Sequence, residues 1–408
     1  MKLLFISQNF PYPPYRDGAR LKAYNLIKYL SKYNEIFLVT FFEPGEEEYI
    51  NEIKAFCVNI ITVPSKNANL DKLTKYRKHV HDIISPKRCD SNQMHFEINK
   101  VVQMWTPDVV HVDLPMMSQY WKAIDGIPRV IASHDTLSLS ANKNWKSSKG
   151  LIQKAMWYWL YKQRIWIEKH FYPHYDVCTV VSNEDSTFLK KHCPELNIKV
   201  IPNGVDIKYF DIEKLSFLNV LNDLTVGIFG SMSFVPNVDG VMYFVTKIYT
   251  LIRKKLPGVR IFIVGRNPHD DIKSLANNKN IIVTGEVDDI REYYKKVSVV
   301  IAPIRLGSGI KNTILQAMSM ARPIVTSPQA VKAIAVEDGV HCMIAESPEC
   351  FADKIVNLLN NPSLREALSK NARDLAVEKY SWETHANVFQ SLYEKIIQKY
   401  SLREVGNK

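Results

Sequence analysis

A glycine-bracketed turn lies in the most informative stretch of this sequence, VVIAPIRLGSGIKNTILQAMSMARPIVTS, which spans residues 299–327. The turn is Gly307-Ser308-Gly309, and it joins an apolar strand to a helix that we predict to begin at about Ile310. Glycine allows the backbone to approach an anion closely, and the first turn of a helix offers unpaired N–H groups with partial positive charge. Lys311 falls in that first turn, where the helix dipole repels a cation unless an anion lies between them. The pattern therefore predicts a phosphate-binding site.

Such a site has to be positioned by a parallel sheet, and short apolar runs alternate with helical patterns along the chain. In the first half we predict the strands Leu3–Ser7, Ile36–Phe41, Ile60–Val63, Val109–Val112, Val130–Ser133, Val177–Ser182 and Val200–Ile201. In the second half we predict Thr225–Phe229, Val259–Val264, Ile281–Thr284, Val297–Ala302, Ile324–Thr326 and Cys342–Ile344. Buried strands separated by helices indicate right-handed crossovers, so we predict an α/β fold of two Rossmann-like parallel-sheet domains.

The alternation pauses at Pro202–Asp206, a turn rich in proline, asparagine and glycine, and a hinge is expected over 207–222. We predict a first domain over 1–206 and a second over 207–381, with a final helix at about 382–400 that packs back on the first domain. Ligands of such sheets bind at the carboxyl ends of the strands, so we expect a cleft between two facing strand edges. Glycine-led loops indicate that the second domain is the nucleotide side.

Polar residues at predicted strand ends of the first domain are further candidates. His134 follows a strand and is expected to lie in the cleft, although a histidine satisfied at a strand end would show the same pattern. His111 is predicted to be structural and Asp17 to form a turn. Arg305, in the second domain, either pairs with an internal acid or reaches a ligand.

The sequence offers no convincing metal site. His192-Cys193 is predicted to be a surface helix end, and Asp288-Asp289 is interpreted as a helix N-cap rather than a metal-binding pair. The six cysteines show no CxxC spacing, which favours free thiols in a reducing compartment. The apolar run at the N-terminus is typical of a first strand rather than a signal peptide, and no run of about 18 apolar residues exists to span a membrane. We therefore expect a cytoplasmic protein, acting at the inner face of the cell membrane if it contacts a membrane at all.

The net charge of +11 is concentrated in two stretches of the first domain. Residues 136–172 carry seven basic and one acidic side chain, and residues 66–88 carry seven basic and two acidic ones. Two basic surfaces facing an anionic membrane or an acidic substrate would explain this, as would solvated helix faces. Within Lys149–Tyr175, tryptophans and tyrosines interleave with lysine and arginine, as at a bilayer interface. The alternative is that most of these rings belong to the core of the first domain.

Several motifs in order resemble one known family. These are YPPYRDGAR near the N-terminus, PNGVD, GSMSFVPNVDGVMYF, IVGRNP, VTGEVDDIREYY, the glycine-rich stretch above and the closing YSWE. They are similar to the group-1, family 4-like glycosyltransferases, and most of all to bacterial sugar transferases of surface and exopolysaccharide pathways. The resemblance implies a GT-B fold, a UDP- or GDP-linked sugar donor, retention of configuration and no required cofactor or metal. It implies a glycan or lipid-linked acceptor. The sequence shows no recognised nucleic-acid-binding module, so no nucleic-acid partner is expected.

The resemblance also implies roles for individual residues. His134 would contact the transferred sugar or the leaving oxygen, Asp135 would steer His134 or the acceptor, and Lys311 would stabilise charge on the donor diphosphate. The residues implied to bind the donor are Gly18, Gly230, Ser231, Met232, Arg266, Glu286, Val287, Arg305, Gly307, Ser308, Gly309, Ile310, Asn312, Thr313 and Gln316.

Two residues depart from the family pattern. Gln316 occupies a position where the family usually has glutamate, and an amide has one acceptor oxygen where a carboxylate has two. Ser308 replaces an acid that many relatives use against the donor sugar. Three functions stay open: a retaining glycosyltransferase, a nucleotide-sugar epimerase on the same fold, and a weakly catalytic relative that binds a nucleotide sugar or a partner protein.

Overall fold

A computed structural model of the chain describes residues 1–65, 90–211, 224–307 and 309–406. These residues form two compact units. Unit 1 contains Met1–Pro202 together with His385–Lys408, and unit 2 contains Asn203–Thr384. The hinge predicted over 207–222 is described only as far as residue 211, and the basic stretch 66–88 lies wholly outside the described residues.

Unit 1 is built on a seven-stranded sheet in which every recorded strand pair is parallel, in the order β3-β2-β1-β4-β5-β6-β7. The strands are β1 Lys2–Ser7, β2 Glu35–Phe42, β3 Asn59–Pro64, β4 Val109–Asp113, β5 Arg129–His134, β6 Val177–Val180 and β7 Ile198–Val200. The order reverses between β1 and β4, which makes this edge a topological switch point where ligands of α/β sheets bind.

Helices connect these strands. They are α1 Gly18–Leu30, α2 Ile50–Lys54, α3 Asn92–Trp105, α4 Leu137–Ser147, α5 Leu151–Phe171 and α6 Asn183–Lys190, with short 3₁₀ turns at Pro14–Arg16, Glu47–Tyr49, Pro115–Ile124 and Tyr172–His174. Helix α1 buries Ala23, Leu26, Ile27 and Leu30 as one stripe, as its 3.6-residue period predicts. One core of the unit packs α3, α6 and the 3₁₀ turn Pro115–Ile124 against strands β1 to β6.

Unit 2 is built on a six-stranded sheet, also with only parallel recorded pairs, in the order β10-β9-β8-β11-β12-β13. The strands are β8 Thr225–Phe229, β9 Arg260–Val264, β10 Ile281–Gly285, β11 Val299–Ala302, β12 Ile324–Thr326 and β13 Met343–Ile344. The helices are α7 Val235–Tyr243, α8 Tyr249–Lys255, α9 Asp270–Ser274, α10 Arg291–Lys296, α11 Asn312–Ser319, α12 Pro328–Val331, α13 Pro348–Asn360 and α14 Pro362–Tyr380. A π-helical turn over Phe244–Ile248 and a 3₁₀ turn over Leu275–Asn277 complete the unit.

The last helix, α15 (Trp382–Gly406), begins in unit 2 and continues as part of unit 1. Its Tyr393 hydroxyl lies 2.7 Å from Nδ1 of His111 on β4, and both residues are buried. Phe389 meets the same imidazole edge-on, and the Asn34 amide donates to Gln390 at 2.8 Å. His111 is therefore buried against a helix that joins the unit from the far end of the chain, in agreement with the structural role predicted for it.

The prediction of two parallel α/β units is confirmed. The seven strands predicted for the first half and the six predicted for the second are all present, with ends within two residues of those predicted. One local prediction is wrong: the helix after the glycine turn begins at Asn312, two residues later than predicted, and Lys311 is its N-cap. The backbone of Lys311 is extended, with φ −92° and ψ 101°, because the preceding glycine turn has not yet entered the helical conformation.

The tryptophan-rich helix α5 is buried along one stripe only. Leu160, Gln163, Ile167 and Glu168 are its buried residues, spaced as one face of a helix requires. Tyr158, Trp159 and Trp166 are exposed, whereas Trp157 and Tyr161 are half-buried. The interpretation that most of these rings lie in the core is therefore wrong for the three that face outward.

Helix α5 also leaves aliphatic residues in the open. Leu151 and Ile152 in its first turn are 87% and 89% exposed. No described helix is long and apolar enough to cross a membrane.

Candidate active site

Two backbone segments at the carboxyl edge of unit 2 approach each other as closely as glycine permits. Gly230 follows β8 with φ +152°, and Gly265 follows β9 with φ +150°. A Cβ added to Gly265 would lie 1.7 Å from the carbonyl oxygen of Gly230, so no other residue fits there. The Gly230 amide donates to Val264 O at 3.1 Å, and the Met232 amide donates to Arg266 O at 2.9 Å. The loops after β8 and β9 therefore stay hydrogen-bonded to each other past the ends of their strands. We call these two loops, 230–232 and 265–266, the platform.

Asparagine side chains and the next helix hold this platform in place. The Asn237 amide donates to Ser231 O at 2.9 Å, and a Cβ at Gly230 would meet that same side chain. Helix α7 carries Asn237 in its first turn and comes close to the end of β11, since a Cβ at Gly240 would lie 3.1 Å from Pro303 O. The N-terminus of α7 therefore lies at the same edge as the loops after β8, β9 and β11.

The glycine turn after β11 has a left-handed backbone at both of its glycines. Gly307 has φ +93° and Gly309 has φ +73°. The Gln329 amide donates to Gly307 O, which fixes one side of the turn against α12. The Lys311 Nζ lies 3.4 Å from the position that a Gly307 Cβ would take, so this lysine folds back over the turn. The Lys311 ammonium and the N-terminus of α11 therefore both lie at the glycine turn.

Gln316 lies on α11 beside a buried aromatic pair. The Tyr294 hydroxyl is 3.3 Å from Gln316 Oε1 and 3.1 Å from Thr313 O. Tyr294 stacks on Phe229 with ring centroids 3.9 Å apart. Because the carbonyl oxygen of Gln316 receives the tyrosine hydroxyl, the side chain turns its NH₂ group away from that contact.

The other residues predicted to bind the donor are spread along the same edge. Arg266, Ile310, Asn312 and Thr313 are half-buried, and Glu286 is exposed while Val287 packs against the core of the unit. Arg305 makes a two-pronged ion pair with Asp239 on α7, at 3.0 and 2.6 Å, so of its two predicted alternatives the structure shows the internal pair. Ser308 lies outside the described residues.

In unit 1 the loop leading into α1 is held by charge. Asp17 caps the helix by accepting from the Arg20 amide at 2.9 Å, in agreement with its predicted turn-forming role. Arg20 is buried, and its guanidinium donates to Glu46 at 2.9 Å and to Phe10 O at 3.1 Å. Gly18 is the first residue of α1 and is exposed. A rigid ion-pair network therefore supports the glycine at this end of the sheet.

His134 lies at a β-bulge-like irregularity at the end of β5. The register of β5 with β6 shifts between Ala132 and His134, and His134 itself has φ +57°. Such conformations are unfavourable for residues other than glycine and persist where the surrounding structure imposes them. Here His134 Nε2 lies 2.8 Å from Asp113 Oδ1 at the end of β4. The bulge therefore aims the imidazole at its neighbouring strand.

Asp135 does not contact His134 by side chain as the resemblance implied. The residue that does is Asp113, while Asp135 is exposed. The turn after His134 is fixed by Asp185, which accepts from the Thr136 amide at 2.8 Å. Ser133 bonds to the Tyr172 hydroxyl at 2.9 Å and donates to Asp135 O at 3.1 Å. These contacts hold the loop that carries His134 and Asp135 from beneath.

Asp113 is the residue that sequence reasoning missed. It is buried, and burial opposes its charge, but the adjacent imidazoles of His134 and His111 outweigh this and hold the pKa of the carboxyl well below its usual range. His111 Nε2 lies 3.9 Å from Asp113 Oδ1, and burial lowers the pKa of His111, which keeps that ring neutral. The sequence signal that could have pointed to Asp113 is an acid placed directly after the predicted strand VVHV.

The remaining predictions concern metals. His192 Nε2 lies 2.6 Å from the buried carboxylate of Glu168 on α5. His192-Cys193 follows the end of α6, but Cys193 is buried, so the prediction that this pair lies at the surface is wrong. Asp289 accepts from the Arg291 amide at 2.9 Å and pairs with the Arg291 guanidinium, but the N-cap of α10 is Ile290, so the prediction that Asp288-Asp289 caps this helix is wrong. Among the described residues, no group of three or more His, Cys, Asp or Glu side chains is arranged to hold a metal ion.

We predict that Gly265→Ala destabilises the protein by about 3 kcal/mol or more, because the new methyl group collides with the Gly230 carbonyl and the backbone has a glycine-only φ. Urea denaturation should show the loss as a lower midpoint. Gly258→Ala is the matched control, since its Cβ would meet only Leu224 Cδ1 at an ordinary 4.0 Å. Equal midpoints for the two variants would contradict the close approach described above.

Comparisons with known proteins cover both units. A family model described as Glycosyltransferase Family 4 matches residues 17–209, and one described as Glycosyl transferases group 1 matches residues 223–361. An uncharacterized 44.6 kDa protein in the cps region of Klebsiella pneumoniae is 18% identical over 97% of this chain and 99% of its own. The capsular polysaccharide biosynthesis glycosyltransferase CapM of Staphylococcus aureus is 24% identical over 48% of this chain and 54% of its own.

An uncharacterized glycosyltransferase of Methanocaldococcus jannaschii is 28% identical over 38% of this chain, and the match spans only 41% of that relative's length. Among solved structures, a sucrose-phosphate synthase from Thermosynechococcus elongatus has a TM-score of 0.71 at 14% identity, covering 98% of this chain and 100% of that chain. Anabaena HepE in complex with UDP has a TM-score of 0.67 at 17% identity, covering 97% and 100%. With its two parallel-sheet units the protein has the GT-B fold, and the two family models, which between them match most of the chain, place it in the glycosyltransferases.

Proposed function

We propose that the protein transfers a sugar from a nucleotide-diphosphate sugar, linked to UDP or GDP, to a glycan or lipid-linked acceptor with retention of configuration. The reaction would serve the synthesis of a surface polysaccharide or another glycoconjugate, and it would need no metal or other cofactor. The observation that carries the proposal is the pair of glycine loops and the glycine turn that converge with two helix N-termini at one edge of unit 2. Backbone N–H groups and helix dipoles concentrated in this way suit a diphosphate.

The relatives support the choice of donor and pathway. HepE is described in complexes with UDP and with UDP-glucose, and a structural neighbour named TarM is described with UDP. CapM is named for capsular polysaccharide biosynthesis, and the Klebsiella relative is named for a cps region. UDP is therefore the first nucleotide to test, and a growing surface glycan is the first class of acceptor.

In the proposed mechanism, the bond between C1 of the sugar and the phosphate oxygen breaks, and its electron pair remains on the diphosphate. The amides of the Gly307–Gly309 turn, the α11 dipole and the Lys311 ammonium would stabilise that charge as it develops. The acceptor oxygen would form its bond to C1 on the same face, and the acceptor's proton would pass to the departing phosphate. Charge stabilisation at the leaving group is then the main contribution of unit 2.

Unit 1 would contribute contacts to the transferred sugar or the leaving oxygen. His134 is the residue best placed for this, because its loop is fixed from beneath by Asp185 and Tyr172 and its ring is held by Asp113. Asp135 is exposed on the same loop and would steer the acceptor. Gly18, at the start of α1, would let a phosphate approach the backbone.

The first test is a thermal-shift panel of UDP, GDP, ADP and their common sugars, each run with and without Mg²⁺. A ligand present at 100 times its Kd stabilises a protein by about 2.7 kcal/mol, which moves the melting temperature visibly. We expect one nucleotide class to raise the melting temperature, and the size of the shift to be the same with chelator as with Mg²⁺. A shift that requires Mg²⁺ would overturn the metal-independent part of the proposal.

The second test concerns Lys311. Lys311→Ala should lower kcat with the preferred donor by at least about 100-fold, because the variant loses a cation at the developing diphosphate charge. Its melting temperature without ligand should stay within about 2 °C of wild type, since the side chain is half-buried at the surface.

Lys279→Ala is the matched control for this variant, because Lys279 is an exposed lysine of the same unit on the loop before β10. Wild-type turnover in Lys311→Ala would remove Lys311 from the mechanism. Absence of any nucleotide shift in the cooperatively folded wild-type protein would instead favour a non-catalytic relative.

We also propose that unit 1 contacts an anionic membrane through α5, which would suit a lipid-linked acceptor. Ile152, Met156 and Trp159 share one exposed face of the helix at a spacing of four and three residues. Lys149 just precedes the helix and Lys162 lies one turn after Trp159, and both lysines are exposed. Apolar side chains at the level of lipid headgroups, with lysines able to meet anionic lipid, are the features of an interfacial helix.

Flotation with vesicles of phosphatidylcholine and phosphatidylglycerol tests this contact. We expect wild type to float with vesicles containing 30% phosphatidylglycerol at low salt, and we expect the double variant Ile152→Ser/Met156→Ser to bind at least about ten-fold more weakly because it loses the buried apolar area. The control is Phe96→Ser/Met104→Ser, which removes two exposed apolar side chains from α3 of the same unit. Failure of the wild-type protein to float would reject the membrane contact.

A further inference from the structure

One lysine of unit 1 is buried without a hydrogen bond to any described residue. Lys22 lies on the second turn of α1 and is 1% exposed. Its Nζ has no hydrogen-bond partner among the residues that the structure describes. Lysines almost never occupy such positions unless they are paired, because removing an ammonium group from water is costly.

The groups around Lys22 are those of the site just described. The acids that interact electrostatically with its ammonium are Asp113 at the end of β4 and Asp135 after β5. His111 and His134 face the same carboxylate of Asp113, and the Tyr393 hydroxyl from α15 reaches it through His111. Three elements of the sheet edge and one distant helix thus surround one buried cation and one buried anion.

Two more atoms of this cluster are buried without a hydrogen bond to any described residue. They are Oδ2 of Asp113 and Nε2 of His111. A lysine retained only for packing would be better replaced by methionine, which fills the same volume without an ammonium group. The arrangement therefore indicates that the charge of Lys22, rather than its shape, is what the site uses.

We propose that Lys22 is a positioning residue: its ammonium balances the charge of Asp113, so that the carboxylate stays ionised and holds the His134 ring through Nε2–H, with Nδ1 left to face a ligand. An ionised carboxylate can only accept, so the 2.8 Å contact requires the proton on Nε2. The remaining ring nitrogen can then accept from a hydroxyl of the sugar or the acceptor. Without the ammonium, only the imidazole would remain to balance the charge of the buried Asp113, and Nδ1 would no longer be reserved as an acceptor.

The burial of this lysine predicts that the stability of the protein depends on pH. Burial lowers the pKa of Lys22 to about 8 from 10.5, although Asp113 and Asp135 act in the opposite direction. Below pH 8 both the folded and the unfolded protein carry the ammonium, and the folded protein is destabilised by it. Between pH 8 and 10.5 the unfolded chain binds more protons than the folded one, so this penalty is lost as the pH rises.

Lys22→Met should therefore raise the melting temperature by several degrees at pH 7, and the gain should shrink between pH 8 and 10.5. The control is Lys32→Met, which changes an exposed lysine just after the same helix and should not move the melting temperature. A fall in melting temperature in Lys22→Met would show that the lysine stabilises the fold and would overturn the proposal.

The proton positions can be read directly from the imidazole nitrogens by NMR of ¹⁵N-histidine-labelled protein, with the His134 signals assigned by their loss in His134→Gln. In wild type at pH 7.5 we expect Nε2 to be protonated and Nδ1 to be bare. In Lys22→Met at the same pH we expect the Nδ1 signal of His134 to move toward that of a protonated nitrogen, because the carboxylate beside the ring has lost its other cation. A wild-type ring protonated on Nδ1, or an unchanged Nδ1 signal in Lys22→Met, would reject the assignment.

The catalytic consequence rests on the proposed function. With a donor identified by the nucleotide panel, kcat of Lys22→Met should fall at least about ten-fold while the KM for the donor changes little, because His134 rather than the donor-binding edge is affected. The melting and NMR results do not depend on turnover. If they come out as expected but no nucleotide binds, the proposed function fails and the role of Lys22 stands. If turnover is unaffected by Lys22→Met, the role in the reaction is overturned.

Discussion

All strands of a parallel sheet end at one edge, and this constraint decides where the chemistry of this protein can be. The loops after β8, β9 and β11 meet in unit 2 because these three strands are neighbours in the order β9-β8-β11. In unit 1 the same rule brings the ends of β4 and β5 together, so that Asp113 and His134 come into contact although 21 residues separate them. Each group of polar residues lies where the topology assembles it.

The two sheet edges present different kinds of polar group, and each relies on its own structural device to do so. Unit 2 offers backbone groups, and it can do so only because Gly230 and Gly265 lack a side chain where their loops cross. Unit 1 offers side chains, and their placement depends on a bulge in β5 and on buried charges. Both devices reduce stability: the first gives up side-chain packing, and the second buries an ammonium and a carboxylate. Such costs are typical of sites that are kept for function.

The sequence predicts the sheet architecture well because strands buried on both faces appear as continuous apolar runs. It also locates the glycine turn, since few structures place two glycines between a strand and a helix. It does not reveal the partner of His134, because Asp113 looks like the polar residue that ends any strand. Lys22 is hidden for a similar reason: a lysine on an amphipathic helix is expected to be exposed to solvent, and only the three-dimensional structure shows that this one is buried.

The start of α11 shows a different kind of limit. Helical periodicity from Ile310 onward is genuine, but the left-handed backbone of Gly309 delays the first helical residue to Asn312 and makes Lys311 the cap. The charge predicted for the first turn is present, yet it comes from a residue whose own backbone is extended. Local geometry imposed by a glycine cannot be read from the periodicity that follows it.

At Gln316 the departure from the family pattern would change the hydrogen bonds that the proposed donor site can make. One lone pair of Gln316 Oε1 faces the hydroxyl of Tyr294, a ring fixed by stacking on Phe229, so the amide keeps its second lone pair and its NH₂ group for a ligand. A glutamate at this position would offer a second acceptor oxygen, whereas Gln316 offers donors. A ribose hydroxyl can both donate and accept, so it can bind either side chain by reversing the direction of the hydrogen bond. The departure from the family pattern therefore changes how a donor would be held, and by itself it does not argue that a donor is excluded.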